Sequence, residues 1–177
     1  MNKIKKENIK HIIGIVSGKG GVGKSYVTGS IAVELAKQGY RVGILDGDVT
    51  GPSIPYMYNI TSGVYGDEEI IYPATTEKLG IKIISSALLL AHGEDPIMWR
   101  GPLIGSLVTQ FYTTVNWGEL DFLLIDFPPG TSDVALSAFQ TIPVDGIVLV
   151  TTPQQMVQQI VKKTYKMGEE MKVKLLG

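Results

Sequence analysis

The sequence predicts an α/β fold, in which a mostly parallel β-sheet is flanked by helices on both faces. Short apolar runs rich in β-branched residues alternate along the chain with stretches whose apolar side chains recur at helical spacing. A glycine-rich segment, GKGGVGKS at residues 18–25, separates the first apolar run from the first helical stretch. These two observations place a strand–loop–helix unit at the start of the fold.

Each element is placed by its own local pattern. The β-rich apolar runs predict strands at residues 12–17, 41–46, 81–85, 122–126 and 146–151, and a shortened sixth strand at 173–176. Helical spacing of apolar residues predicts helices at residues 24–38, 103–115, 133–141 and 154–171. The stretch 56–78, rich in Gly, Tyr and acidic residues, is expected to form a long excursion with a small hairpin over one edge of the sheet.

Composition favours one globular domain. The 177 residues are 44% hydrophobic and 19% charged, and their net charge of −1 predicts neither nucleic acid nor an anionic membrane as a partner. No apolar run approaches the ~18 residues of a membrane span. The absence of cysteine excludes disulfides and thiolate metal ligands among these residues. We expect a flexible basic lead-in at residues 1–10, without the apolar core of a secretion signal, then one domain at 11–177 and a cytoplasmic location.

The segment at residues 18–25 matches the phosphate-loop pattern G-x-x-x-x-G-K-[ST] at every fixed position. Its glycines let the backbone wrap closely around phosphate, and its N–H groups add to the positive end of the following helix. Lys24 is predicted to bridge the β- and γ-phosphates of ATP, and Ser25 to offer its hydroxyl to Mg²⁺. The alternative is a glycine-rich turn with a chance Lys-Ser pair. The predicted nucleotide-binding residues of the loop are Gly18, Lys19, Gly20, Gly21, Val22, Gly23, Lys24 and Ser25.

An aspartate is placed to work with this loop. Asp126 ends the apolar run at residues 122–126, and ligands of open α/β sheets gather at the carboxyl ends of strands. Asp126 is therefore predicted to hold Mg²⁺, directly or through a water. Gly130, which follows two prolines, is predicted to sense the γ-phosphate through its N–H. The alternative for Asp126 is an N-cap or turn aspartate, which is common in D-x-P sequences.

Lys19 resembles the signature lysine of the deviant Walker A ATPases, the class that includes MinD, ParA and the nitrogenase iron protein. The resemblance implies that Lys19 reaches across a dimer interface to the partner's nucleotide, whereas the alternative is a solvated surface lysine. It also makes DGDVTGPSIP (46–55) switch I, in which Asp48 orients the attacking water and joins the metal site. Asp46 is expected to support the loop or the Mg²⁺ shell through a hydrogen bond. Lys19, Lys24 and Asp48 are the implied catalytic residues of a slow ATPase.

Five blocks together resemble the Mrp/ApbC-type iron–sulfur cluster carrier ATPases, relatives of MinD with a P-loop NTPase fold of the SIMIBI type. They are GKGGVGKS (18–25), DGDVTGPSIP (46–55), MWRGPL (98–103), WGELDFLLIDFPPGTSD (117–133) and VTTPQ (150–154). The resemblance extends from about His11 onward. It implies a homodimer that sandwiches two nucleotides, hydrolyses ATP slowly and carries a bridging four-iron, four-sulfur cluster to apoproteins. Pro153 and Gln154 are expected where the nucleotide base rests.

The sequence departs from this family pattern in two places. The family holds its cluster with a C-P-x-C pair downstream of the last strand, but these residues contain no cysteine and the chain stops at Gly177. We expect a truncated, C-terminally incomplete carrier, and the alternative is a true short variant that keeps nucleotide binding alone. Ser132 stands where the family usually has glycine, and a mild effect is expected.

Two further functions compete with a carrier ATPase. A spatial organiser of the MinD/ParA type would need a C-terminal amphipathic helix or a basic surface, and neither is visible in the sequence. A remnant that binds nucleotide without turnover is the other alternative, because the missing segment would include part of the expected core.

Overall fold

A parallel-rich sheet forms the centre of the fold. A computed structural model describes residues 8–48, 51–60, 64–66, 70–89, 105–130, 133–153 and 173–177. Within these residues the sheet has seven strands in the order β5-β6-β2-β7-β1-β8-β9. They are β1 (Ile9–Ser17), β2 (Val42–Asp46), β5 (Ala74–Thr75), β6 (Lys82–Ser85), β7 (Leu120–Asp126), β8 (Gly146–Val150) and β9 (Lys174–Leu175). All neighbours pair in parallel except β5 and β6, so the predicted mostly parallel sheet is confirmed.

The inner strands are apolar because they are covered on both faces. Ile44 of β2 and Ile13 of β1 both pair with Leu124 of β7, the middle strand of the three. All five residues of β2 are buried. Strands buried on both faces read as continuous apolar runs rather than alternating ones, which is the pattern the sequence shows.

Five helices connect or flank the strands in the described residues. They are α1 (Lys24–Lys37), α2 (Ile54–Met57), α3 (Ser86–Leu89), α4 (Gly105–Thr114) and α5 (Asp133–Thr141). Helix α1 packs on β1, β2 and β7, and α4 packs on β2 and α5. None of these helices combines the length and the apolar character that a membrane crossing requires.

Helix α1 ends at a glycine cap. Gly39 has a φ of 89° and donates its N–H to Ala36 O, while Tyr40 N–H donates to Leu35 O. This pair of bonds is the Schellman arrangement, in which a left-handed glycine satisfies the last carbonyls of a helix. The cap explains why the helix stops one residue before the predicted boundary at residue 38.

The predicted start of β8 at Gly146 agrees with the structure, whereas the other predicted strand starts differ from the observed ones. Strand β1 begins at Ile9, inside the segment assigned to the lead-in, because Ile9 pairs with Leu120 at the start of β7. The excursion contains the expected hairpin, formed by β3 (Tyr65–Gly66) and β4 (Ile71–Tyr72). The short helices α2 and α3 were not predicted. The predicted helix at 154–171, the MWRGPL block and Ser132 lie outside the described residues.

The fold gathers the ends of its strands at one edge. Asp46 at the end of β2 is the register partner of Asp126 at the end of β7. Ile15 of β1 pairs with the same Asp126, two residues before β1 gives way to the glycine-rich loop. The predicted site residues of three strands are therefore brought to a common edge of the sheet, where ligands of open α/β sheets bind.

Candidate functional site

The glycine-rich loop joins β1 to α1 in an open conformation. Gly21 and Gly23 adopt φ angles of 75° and 89°, in the left-handed region that glycine occupies most easily. Gly23 is also the N-cap of α1, where no side chain caps the helix and the first turn holds no acidic residue. The N-terminal end of α1 is thus left without a negative side chain of its own, the arrangement that receives an anion at a helix N-terminus.

A cavity of about 420 Å³ lies over this loop. Residues from the loop, from the segment after β2 and from the segment after β7 line it together. The lining residues are Ser17, Lys19, Gly20, Gly21, Gly23, Lys24, Ser25, Tyr26, Asp48, Gly51, Ser53, Met57 and Pro129. We call it the phosphate cavity. It brings six of the eight predicted loop residues together with Asp48, whereas Gly18 and Val22 are not part of its lining. It also includes Tyr26, a 70% exposed side chain that sequence reasoning missed.

A larger cavity, of about 560 Å³, lies between α1, α2 and the turn after β5. Its lining extends from Val33 and Met57 to Leu79. It includes neither the left-handed glycines of the loop nor a buried carboxylate, so the chemistry of a phosphate site is concentrated in the smaller cavity.

Lys24 is a buried cation at the floor of the phosphate cavity. Only 6% of its side chain is exposed, and Nζ lies 2.8 Å from Asp126 Oδ1. The geometry of this ion pair is not that of a hydrogen bond, and no acceptor in the described part of the chain takes a hydrogen bond from Nζ. Buried polar groups are normally hydrogen-bonded, so an anion that enters the cavity would satisfy donors that the protein leaves unused.

Asp126 is held by side chains of α1. Its carboxylate is fully buried at the end of β7. Ser25 Oγ donates to Oδ2 at 2.6 Å, and Thr28 Oγ1 donates to Oδ1 at 2.8 Å. With the Lys24 ion pair, three side chains from the first two turns of the helix converge on this carboxylate. Sequence reasoning missed Thr28, because the phosphate-loop pattern ends at Ser25.

Asp46 supports the segment that follows β2. Its fully buried carboxylate accepts hydrogen bonds from the N–H groups of Asp48 and Ile54, at 3.2 and 3.4 Å, and from Ser85 Oγ at 3.0 Å. Burial, reinforced by the nearby charge of Asp126, raises the pKa of Asp46 to about 7, although the hydrogen bonds oppose this shift. The side chain therefore ties both ends of the loop after β2 to β6, by hydrogen bonds of the kind that the sequence analysis expected of Asp46.

Asp48 and Lys19 face the phosphate cavity from opposite loops. Asp48 Oδ1 accepts a hydrogen bond from Gly51 N–H at 3.3 Å. Lys19 is exposed, and its carbonyl accepts a hydrogen bond from Ser17 Oγ at 3.0 Å. Both side chains line the cavity.

The oxygen donors around the cavity suit Mg²⁺. Ser25, Asp48 and Asp126 offer one hydroxyl and two carboxylates, and Mg²⁺ is usually bound through one or two carboxylates together with waters and substrate phosphates. No group of three or more His, Asp or Glu side chains that could cage a metal by itself occurs in the described ranges. The donor set therefore fits a metal ion that arrives with a phosphate ligand.

Comparison with known proteins decides the family. A match to the ParA family, described as NUBPL iron-transfer P-loop NTPase, spans residues 8–177. The chain belongs to this family. The resemblance drawn from the five sequence blocks is thereby confirmed.

Relatives of this P-loop NTPase share much of its sequence and its fold. An iron–sulfur cluster carrier protein of Clostridium perfringens is 48% identical over 178 residues, which cover 96% of this chain and 62% of that protein. A nucleotide-binding protein from Archaeoglobus fulgidus, solved in complex with ADP, is 43% identical with a TM-score of 0.84 over 97% of this chain and 66% of that one. The septum site-determining protein MinD of Pyrococcus horikoshii, complexed with Mg-ADP, is 26% identical with a TM-score of 0.70 over 95% of this chain and 68% of that one. The chain thus spans about three fifths of the length of the carrier protein.

The predicted contacts of Gly130 with the γ-phosphate, and of Pro153 and Gln154 with the nucleotide base, stay predictions. Gly130 has a φ of 87° and donates its N–H to Ser17 O at 2.8 Å, so this N–H is already engaged and must leave Ser17 to reach a phosphate. Pro153 is exposed and is not part of the lining of the phosphate cavity. Gln154 lies outside the described residues.

Proposed function

We propose that the chain binds Mg·ATP in the phosphate cavity and hydrolyses it slowly, as the nucleotide-dependent part of an iron–sulfur cluster carrier ATPase. The observation that carries this proposal is Lys24, a buried ammonium with unused hydrogen-bond donors beneath an open glycine loop. A polyanionic phosphate chain supplies the acceptors that this ammonium lacks. Family membership and the ADP complex of the 43% identical relative support the same ligand class.

Phosphoryl transfer depends mainly on positioning and on neutralising charge, and the cavity offers residues for both tasks. Lys24 and the loop N–H groups hold the β- and γ-phosphates. Ser25, Asp126 and Asp48 would hold Mg²⁺, which would neutralise charge on the phosphate oxygens. Asp48 also orients the attacking water. Each of these residues except Asp126 lines the cavity, and Asp126 lies directly behind Ser25.

The second lysine accounts for slow turnover. Lys19 is exposed at the rim of the cavity, where the side chain of one protomer can approach the nucleotide of a second. We assign the chain to a homodimer in which Lys19 completes the partner's site, so that full activity requires association. This arrangement makes the hydrolysis rate depend on protein concentration.

The cluster itself is cargo in this proposal. The 177 residues contain no cysteine, so no thiolate ligand for a cluster is assigned to any of them. The carrier role, with apoproteins as recipients, rests on the family and on the 48% identical cluster carrier protein. What the residues of this chain contribute is the binding and hydrolysis of nucleotide.

Phosphate release and nucleotide binding, measured together, test the proposal. The wild-type chain is expected to bind ADP with Mg²⁺ and to release phosphate from ATP only when Mg²⁺ is present. Asp48→Asn is expected to lower the release rate at least about tenfold while changing ADP affinity in EDTA less than threefold, because Asp48 acts on the attacking water and the metal ion rather than on the nucleotide itself. Glu34→Gln, an exposed change on α1, is the matched control. A wild-type chain that binds no nucleotide would refute the proposal, and binding without turnover would favour the nucleotide-binding remnant.

A further inference from the structure

We propose that Thr28 is a positioning residue, which holds Oδ1 of Asp126 so that Oδ2 of the same carboxylate faces the bound Mg·nucleotide. This inference rests on the proposed function and deepens it. It assigns different tasks to the two oxygens of one carboxylate and gives a role to a residue outside the phosphate-loop pattern.

The Thr28 hydroxyl is directed to Asp126. Thr28 lies one helical turn after Lys24 and is fully buried. Its Oγ1 lies 2.8 Å from Asp126 Oδ1 and 3.1 Å from Lys24 O. A hydroxyl has one proton to donate, and the shorter contact is to an ionised acceptor, where hydrogen bonds are stronger. The Lys24 carbonyl is also the acceptor for the Thr28 backbone N–H in the helical ladder. The Thr28 hydroxyl therefore donates its hydrogen bond to the Asp126 carboxylate.

The three side chains that contact the Asp126 carboxylate differ in what else they do. Ser25 Oγ donates to Oδ2, and Lys24 Nζ lies against Oδ1. Both Ser25 and Lys24 line the phosphate cavity. Under the proposed function both of these groups turn to the ligand, Ser25 to the metal ion and Lys24 to the phosphates. Thr28 does not line the cavity. Of the three side chains, it is the one whose contact with Asp126 does not compete with the ligand.

The consequence is a carboxylate with one fixed and one free oxygen. When Ser25 leaves Oδ2, that atom becomes available towards the cavity. The hydrogen bond from Thr28 to Oδ1 meanwhile keeps the carboxylate group from rotating about its Cβ–Cγ bond. Without the Thr28 hydroxyl, Oδ1 of a fully buried carboxylate loses its neutral donor and the orientation is no longer set. Partners that orient a metal-binding group in this way typically change metal affinity by about 10–100-fold when they are removed.

Calorimetric titration of ADP, with Mg²⁺ and with EDTA, tests the inference on four chains. Thr28→Val removes the hydroxyl at nearly constant shape, and Thr28→Ser retains the hydroxyl. Thr113→Val is the matched control, because Thr113 Oγ1 donates to the carbonyls of Thr109 and Gln110 in its own helix rather than to a carboxylate. We expect Thr28→Val to weaken ADP binding about tenfold or more with Mg²⁺ and less than twofold in EDTA. Thr28→Ser and Thr113→Val are expected to match the wild type within threefold in both conditions.

The outcomes separate this inference from the proposed function. If the wild type binds Mg·ADP and Thr28→Val binds it equally well, the positioning role is overturned while nucleotide binding stands. An equal loss with Mg²⁺ and in EDTA also overturns it, since that pattern reports general damage to the site. If the wild type binds no ADP in either condition, both proposals fail. Thr28→Ala gives the same readout should Thr28→Val not fold, and a Mg²⁺-specific loss in Thr28→Ser would contradict the role of the hydroxyl.

Discussion

Asp46 and Asp126 are register partners at the ends of two adjacent parallel strands, and both side chains are fully buried. The two carboxylates have different partners. Asp126 has the Lys24 ammonium beside it, whereas Asp46 accepts hydrogen bonds from backbone N–H groups and a serine hydroxyl. Burial, reinforced by the charge of Asp126, raises the pKa of Asp46 to about 7.

This pKa makes stability depend on pH near neutrality. The raised value means that folded Asp46 binds a proton more tightly than the unfolded chain, whose pKa stays near 3.8. The stabilisation is thus complete below the unfolded pKa and is lost as the pH rises through about 7. We expect the free energy of unfolding of the wild type to fall relative to that of Asp46→Asn between about pH 5.5 and 7.5. Urea unfolding without Mg²⁺ or nucleotide measures the difference.

Asp121→Asn is the control for this pH series. Hydrogen bonds from the Arg41 guanidinium hold the pKa of Asp121 well below its usual range, so this carboxyl stays ionised throughout the window. Its difference from the wild type is expected to stay constant. A constant difference for Asp46→Asn as well would contradict the raised pKa.

Gly23→Ala is expected to destabilise the free protein by about 1 kcal/mol, because an L-residue pays this much to adopt the left-handed conformation. Gly23 has a φ of 89°, and a Cβ there would touch nothing within 4 Å, so the cost comes from the backbone. Gly20→Ala is the control, since Gly20 has similar open space and is not left-handed. Chemical denaturation is expected to show a change below about 0.5 kcal/mol for the control. Equal losses in the two variants would argue against the described loop conformation.

The N–H of Gly130 is expected to report the γ-phosphate. In the described structure this N–H donates to Ser17 O, and a contact with phosphate requires that bond to open. We expect the amide resonance of Gly130 to move on addition of a non-hydrolysable ATP analogue with Mg²⁺, and to move much less with Mg·ADP. NMR spectra of the ¹⁵N-labelled chain measure this. Identical shifts with both nucleotides would show that Gly130 does not sense the γ-phosphate.

Lys19→Ala is expected to separate hydrolysis from binding. Because Lys19 is assigned to the partner's nucleotide, its loss should lower phosphate release at least about tenfold and leave ADP affinity within threefold. The wild-type rate per chain should rise with protein concentration, and that rise should disappear in the variant. Lys37→Ala, an exposed change on α1, is the control. A Lys19→Ala chain with the wild-type rate at every concentration would remove Lys19 from the mechanism.

Local patterns located the last residues of the strands better than their first residues, of which that of β8 alone agrees among the six predicted strands. The predicted last residues of β1, β2 and β7 agree with the structure, because Ser17, Asp46 and Asp126 mark the change from apolar to polar sequence. The first residues depend on pairing between distant segments: Ile9 is in a strand because Leu120 lies beside it. The order of the strands is likewise a property of the whole chain, and no local pattern encodes it.

The same distinction between local patterns and contacts of distant residues applies to the candidate site. The loop, Lys24 and Ser25 belong to one contiguous pattern, so the sequence predicts them together. Thr28 meets a carboxylate 98 positions away in the chain, and that contact exists only once β7 lies beside α1. The engagement of the Gly130 N–H by Ser17 is a contact of the same non-local kind.

Binding of a non-hydrolysable ATP analogue with Mg²⁺ to the wild type, Lys24→Ala and Lys37→Ala tests the phosphate cavity most directly. Lys24 is 6% exposed beneath the loop, whereas Lys37 is exposed at the far end of the same helix. Calorimetry is expected to give the same Kd for the wild type and Lys37→Ala, and a Kd at least about 100-fold higher for Lys24→Ala, which corresponds to about 2.7 kcal/mol. A Lys24→Ala chain that binds the analogue as tightly as the wild type would contradict the account.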